Sequence, residues 1–265
     1  MKRIAVFGIC GKMGTAITRE LLKEKDITVT GGLDRIDIGK DIGKILGIQD
    51  TGIMVYGTYD DIQGQKPDLI LDFTNAEAAY RSINWAIDSK IDIIIGTTGL
   101  SKAEINSVKQ RAEKGKSRVF LVPNFSLGAV VMVKISGMIA KYFDNCEIIE
   151  MHHDRKKDAP SGTSVLTAEN ISGMKKFNTK RLKDSETETF SGSRGAFYEG
   201  VHIHSLRLPG FLAHQEVIFG TTGQTLTIRH DSMDRLSFYP GVILAIRNID
   251  SLSGFTYGLD CLISF

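Results

Sequence analysis

Ile4-Ala5-Val6-Phe7-Gly8-Ile9-Cys10-Gly11-Lys12-Met13-Gly14 carries the first architectural signal in the chain. The apolar run Ile4–Phe7 suits a parallel strand covered on both faces. The helical pattern Met13–Glu24 follows it directly. Between them, glycines at G-x-x-G-x-x-G spacing let the backbone turn tightly and approach a pyrophosphate. The helix N-terminus behind them offers unpaired N–H groups and partial positive charge. Gly8, Ile9, Cys10, Gly11, Lys12 and Met13 are therefore candidate cofactor-binding residues. The commoner spacing is G-x-G-x-x-G, and Cys10 stands where the second glycine usually sits. Glycines at such a turn also serve purely structural ends, so the loop alone leaves both readings open.

Further along, short β-rich runs alternate with helical patterns. Ile27–Leu33, Leu69–Asp72, Ile91–Gly96 and Val119–Val122 read as strands; Ala76–Ser89 and Ser101–Lys114 read as helices. Ser101 and Glu104 form a capping-box pattern. This rhythm predicts an α/β fold, a Rossmann-like doubly wound parallel sheet. Asp34 ends the second strand, about 20 residues past the last glycine, where an acidic side chain accepts hydrogen bonds from an NAD ribose. Arg35 beside it suits the 2′-phosphate of NADP. The pair predicts NADH or NADPH, with a solvated turn as the bland alternative. Gly96, Thr97 and Thr98, and Val122, Pro123, Asn124 and Phe125, follow later strands. They are placed for the nicotinamide side, since ligands bind at the carboxyl ends of strands in such sheets. Ordinary turn chemistry would also supply those residue types.

Composition bounds the function. The 265 residues are 42% apolar and 24% charged, ordinary for a globular protein and unlike a disordered or disulfide-rich chain. A net charge of +2 provides no large positive field for nucleic acid, so none is expected as a partner. The three cysteines, Cys10, Cys146 and Cys261, are scattered and odd in number, which fits a reducing, cytoplasmic setting. No apolar run reaches the length of a signal peptide or membrane span, so no membrane association is expected.

After Pro123 the pattern changes. Ser126–Phe143 reads as a helix, Cys146–His152 as a strand, and another helix starts near Ser161. Met174–Gly200 is polar and reads as an exposed loop with at most short elements. Val201–Leu208, His214–Phe219 and Gln224–His230 alternate with period two, predicting a mostly antiparallel sheet in a second, α+β domain. Val242–Ile249 reads as a helix packing back on the first domain. The expected division is 1–125 with 236–265 for dinucleotide binding, and 126–235 for substrate and oligomer formation.

The densest polar cluster runs from Glu150 to Thr163. His152 and His153 end a strand and point to opposite sides, so one readily faces a given cleft. Histidine suits proton transfer near neutral pH, and Lys156 suits proton donation or a carboxylate. Ser161 is a good N-cap, which frees the amides of Gly162 and Thr163 for an anion. A charged loop before a capped helix is the bland alternative. No metal is expected, because His-His-Asp lacks the i, i+4 spacing of a helical zinc motif.

These residues resemble the dihydrodipicolinate reductase family, the 4-hydroxy-tetrahydrodipicolinate reductases of the diaminopimelate route to lysine. The matching motifs are Gly8 to Gly14, Asp72-Phe73-Thr74, Gly96-Thr97-Thr98-Gly99, Asn124-Phe125-Ser126 and Glu150-Met151-His152-His153. They continue with Lys156, Asp158-Ala159-Pro160-Ser161-Gly162-Thr163, Ile203-His204-Ser205-Leu206-Arg207 and Ser237-Phe238-Tyr239-Pro240-Gly241. The resemblance implies reduction of a cyclic dicarboxylate by NADH or NADPH in a homotetramer built through the second domain's sheet. It further implies catalytic roles for His152 and Lys156, and substrate-carboxylate contacts from His153, Gly162 and Thr163. Cys10, Met151, Asp154, Arg155 and the run Leu127–Val130 depart from the family's usual residues. Two other classes remain in view: another two-domain Rossmann reductase, and a regulator that binds NAD(P) without turnover.

Overall fold

The computed structural model describes residues 1–177 and 187–264. The chain forms two compact units, 1–125 with 238–265, and 126–237.

The first unit is built on a parallel sheet. Its strands are β1 (Lys2–Phe7), β2 (Ile27–Leu33), β3 (Val55–Tyr56), β4 (Leu69–Asp72), β5 (Asp92–Ile95), β6 (Val119–Leu121) and β12 (Phe255–Tyr257), in the order β12-β6-β5-β4-β1-β2-β3. The order reverses between β1 and β4, and that crevice is where doubly wound sheets bind ligands. The apolar runs behave as parallel strands do: Ile4 to Phe7 and Leu69 to Asp72 are fully buried. Phe7 packs against the rings of Tyr59 and Trp85, with centroids 5.9 and 6.1 Å away.

The helices of this unit are α1 (Lys12–Leu21), α2 (Ile42–Leu46), α3 (Tyr59–Gly64), α4 (Ala76–Ser89) and α5 (Lys102–Lys114). Local chemistry sets their ends. Asn75 caps α4 through Ala78 N, and the Ser101–Glu104 capping box is present at α5. Near the carboxyl terminus the chain returns to this unit through Tyr239–Asn248, with Pro240 in the first turn, where its missing N–H is harmless.

The second unit is a mixed sheet under two helices, α6 (Leu127–Ile139) and α7 (Gly162–Met174); Tyr239–Asn248 is then α8. Its strands are β7 (Asn145–His152), β8 (Ala196–Tyr198), β9 (Val201–Arg207), β10 (Ala213–Thr221) and β11 (Gln224–Ser232), ordered β11-β10-β7-β9-β8. Only the β7–β9 pairing is parallel. Ile148, Val217, Phe219 and Ile203 of the sheet and Met132, Ala168 and Ile171 of the helices share one core. The stretch predicted as a loop, Met174–Gly200, contains the end of α7 and the strand β8, and its residues 178–186 lie outside those described.

Candidate active site

In the first unit, the residues predicted to hold a cofactor lie at a strand's carboxyl end or in the loop after it, except Lys12 and Met13, which open helix α1. Gly8 takes φ +73°, and a Cβ there would lie 3.0 Å from Phe73 O; a Cβ on Gly14 would lie 2.1 Å from Gly8 O. Both positions therefore demand glycine. Gly11 is the N-cap of α1 and supplies no side-chain cap, so the helix start is open to an anion. Ile9 is buried in the core, whereas Gly11 and Lys12 are exposed.

Asp34 sits at the end of β2 and is bonded to the loop. Its Oδ2 accepts Cys10 N at 3.0 Å and its Oδ1 accepts Arg35 N at 2.8 Å. Burial, then the charges of Asp34 and Asp37, push the Cys10 thiol up to about 12, so it stays neutral. Arg35 is exposed. These features fit a dinucleotide: an uncapped helix start, glycines required by the turn, and an oriented carboxylate at the second strand.

The loops after β4, β5 and β6 are knit together. Gly96 N donates to Asp72 O at 2.8 Å, Thr97 Oγ1 to Thr74 O at 3.1 Å, and the rings of Phe73 and Phe125 meet edge-on at 6.0 Å. Val122 is buried, Pro123 and Asn124 are half-buried and Thr98 is exposed. The Asp72 carboxyl is pushed upward by burial, which outweighs the hydroxyls of Thr74, Ser82 and Thr97. Phe73 and Thr74 belong to a quoted motif, yet the sequence reading gave them no site role; the signal available was their place after a buried strand.

In the second unit, β7 carries Glu150 and His152 on one face, two residues apart. His152 Nδ1 is hydrogen-bonded to Glu150 Oε2. Glu150 is fully buried and also accepts Arg207 Nη1 at 3.0 Å, Arg207 Nη2 at 2.8 Å and Ser161 N at 3.3 Å. Burial would raise its carboxyl; hydrogen bonds from His152, Arg207 and Ser205 reverse that and hold it at about 2. Lys156 Nζ pairs with both oxygens of Asp158 at 2.8 Å. His153 Nδ1 is buried and has no hydrogen-bond partner among the described residues.

Ser161 caps α7 through Ser164 N, and the first helical bond runs from Val165 N to Ser161 O. The amides of Gly162 and Thr163 thus lie ahead of the intrahelical ladder. Gly162 is exposed, with open space where a Cβ would be. Beneath this helix start, Ser161, Ser164, Gln215 and Thr167 form a buried chain of hydrogen bonds. The structure therefore gathers His152, Ser161 and Arg207 around one carboxylate, that of Glu150. Glu150 and Arg207 had been quoted only as motif members; the two-residue step from Glu150 to His152 was the signal for a shared face. Among the described residues no group of His, Cys, Asp and Glu is arranged to hold a metal, and no helix is long and apolar enough to cross a membrane.

Comparison with known proteins covers both units. Residues 2–125 match the family model described as dihydrodipicolinate reductase, N-terminus, and residues 128–263 match dihydrodipicolinate reductase, C-terminus. The 4-hydroxy-tetrahydrodipicolinate reductase of Dictyoglomus turgidum is 43% identical, over 98% of this chain and 97% of its own. That of Moorella thermoacetica is 42% identical, over 99% and 98%. A dipicolinate-bound dihydrodipicolinate reductase structure from Paenisporosarcina sp. TG-14 superposes with a TM-score of 0.86 at 36% identity, covering 99% of this chain and all of that one.

Proposed function

The chain belongs to the dihydrodipicolinate reductase family, and from that premise we propose how its own residues carry the reaction. It is an oxidoreductase that uses a nicotinamide cofactor to reduce a small cyclic dicarboxylate to tetrahydrodipicolinate, in diaminopimelate and lysine biosynthesis. Loss of water from the hydroxy substrate leaves a conjugated C=C–C=N ring, to which a nicotinamide, when bound, would supply a hydride. The negative charge so formed spreads toward the ring nitrogen and takes up a proton.

His152 donates that proton, and Lys156 stabilises the charge after leaving Asp158. One substrate carboxylate lies on the amides of Gly162 and Thr163, with His153 turned to it. Gly8 to Met13 hold the pyrophosphate. Gly96, Thr97, Thr98 and the run Val122–Phe125 line the nicotinamide. Asp34 and Arg35 admit both NADH and NADPH. We place the enzyme in the cytoplasm, in keeping with three scattered cysteines that form no disulfide among the described residues; cell fractionation that recovered the chain outside the cytoplasm would refute this. The observation that carries the reading is the imidazole of His152 seated on a buried carboxylate that also holds the start of α7.

The test is substrate-dependent oxidation of NADH. Turnover is expected, with His152→Gln lowering kcat by roughly 10²–10⁴, the usual contribution of a positioned general acid. Pyridine-2,6-dicarboxylate should inhibit far better than the monocarboxylate. Cofactor binding without turnover would mark a regulator instead, and wild-type kcat in His152→Gln would remove the histidine from the mechanism.

A further inference from the structure

Glu150 is completely buried and takes no part in the bond changes of the reaction. A buried carboxylate is tolerated only when paired and saturated with hydrogen bonds. Arg207 meets that demand, with its two terminal nitrogens 2.8 and 3.0 Å from the two carboxylate oxygens. Arginine does not deprotonate in proteins, so its partner stays ionised and can only accept. A carboxylate that only accepts, facing His152 Nδ1, requires that nitrogen to carry the hydrogen. His152 then exchanges protons through Nε2 alone. The same carboxylate accepts Ser161 N at 3.3 Å, and Arg207 Nη2 also donates to Asp158 O at 2.6 Å, in the loop that follows Lys156.

We propose that Glu150, backed by Arg207, is a positioning residue of the reaction: it fixes the Nδ1–H form of His152 and holds the start of α7 beside that ring. The proposal rests on the reading of His152 as proton donor. In the step itself the Nε2–H bond breaks and the proton joins the substrate anion left by hydride addition. Imidazolium becomes neutral imidazole with Nδ1–H retained, Glu150 remains ionised, and solvent returns a proton to Nε2.

Neutron diffraction on wild-type crystals exchanged into heavy water reads the claim without turnover. Deuterium is expected on His152 Nδ1 and not on Glu150. A bare Nδ1, or deuterium on the carboxyl, overturns the proposal. In solution, Glu150→Gln should lower kcat roughly ten- to a hundredfold, a part of what a general acid contributes, with the Kd for NADH unchanged. Glu150→Asp, which keeps the charge, should recover part of the loss. Wild-type kcat in folded Glu150→Gln also overturns the proposal, and if that variant does not fold the diffraction result decides. Failure of the underlying reading looks different: His152→Gln would keep its kcat whatever the deuterium map showed.

Discussion

Asp34 and Arg35 adjoin in sequence but stand in different surroundings. The Asp34 carboxylate already accepts three main-chain amides, Cys10 N on Oδ2 and Arg35 N and Ile36 N on Oδ1, so Oδ2 is the oxygen better placed to accept a ribose hydroxyl. Arg35 is exposed and free to meet a phosphate. Arg35→Ala should therefore weaken NADPH by roughly ten- to a hundredfold, the worth of one charge-assisted hydrogen bond, and leave NADH nearly unchanged. Fluorescence titration with each cofactor measures this; equal losses would overturn the assignment. The placement of these residues was legible in the sequence because a glycine loop and an acid at the next strand's end form a local pattern. The partners of His214 and His230 were not. His214 Nδ1 meets Asp231 at 2.6 Å across the β10–β11 register, and His230 Nε2 meets Ser126 Oγ at 3.1 Å. The first pair depends on strand register and the second on the packing of α6 against β11, neither of which spacing along the chain reveals.

At the scale of elements, the apolar runs and caps were legible, whereas β3 and β12 were not. Those strands have two and three residues, too few for a period to show. They form because the neighbouring strands offer unpaired backbone edges. The junction of β7, β9 and α7 rests on Glu150, and this gives acid stability a definite sign. Its folded value, about 2, lies below the ordinary 4.5, so the carboxylate stabilises the fold fully above about 4.5. That contribution is lost as pH falls from there toward about 2, and the shift corresponds to roughly 3 kcal/mol. Glu150→Gln should be less stable than wild type near neutrality, and its stability should fall less on acidification across that window. Urea unfolding at several pH values reads both slopes. Parallel curves would show that Glu150 is not held below its ordinary range.

For the molecule as a whole, the second unit's sheet has one face that no helix of that unit covers among the described residues. On the covered face, Ile148, Val217 and Phe219 pack beneath α6 and α7. On the other, Glu147 pairs across β7–β10 with Ile218, and Ile149 with Glu216. The acids there are already paired: Glu147 with Arg194 and His204, and Glu216 and Asp231 with Arg229. Half-buried isoleucines among internally balanced charges suit contact with another copy, because no excess of one sign opposes it. We therefore expect a homotetramer assembled through this sheet. Light scattering at micromolar concentration should give about four times the 29.2 kDa chain mass. Ile218→Asp would bring an unpaired charge into the interface and should shift the mass toward a smaller species. Its circular dichroism should stay unchanged, since Ile218 lies outside the core shared with the helices. A wild-type monomer mass would refute the assembly, and an Ile218→Asp variant that remained tetrameric would move the interface to another surface.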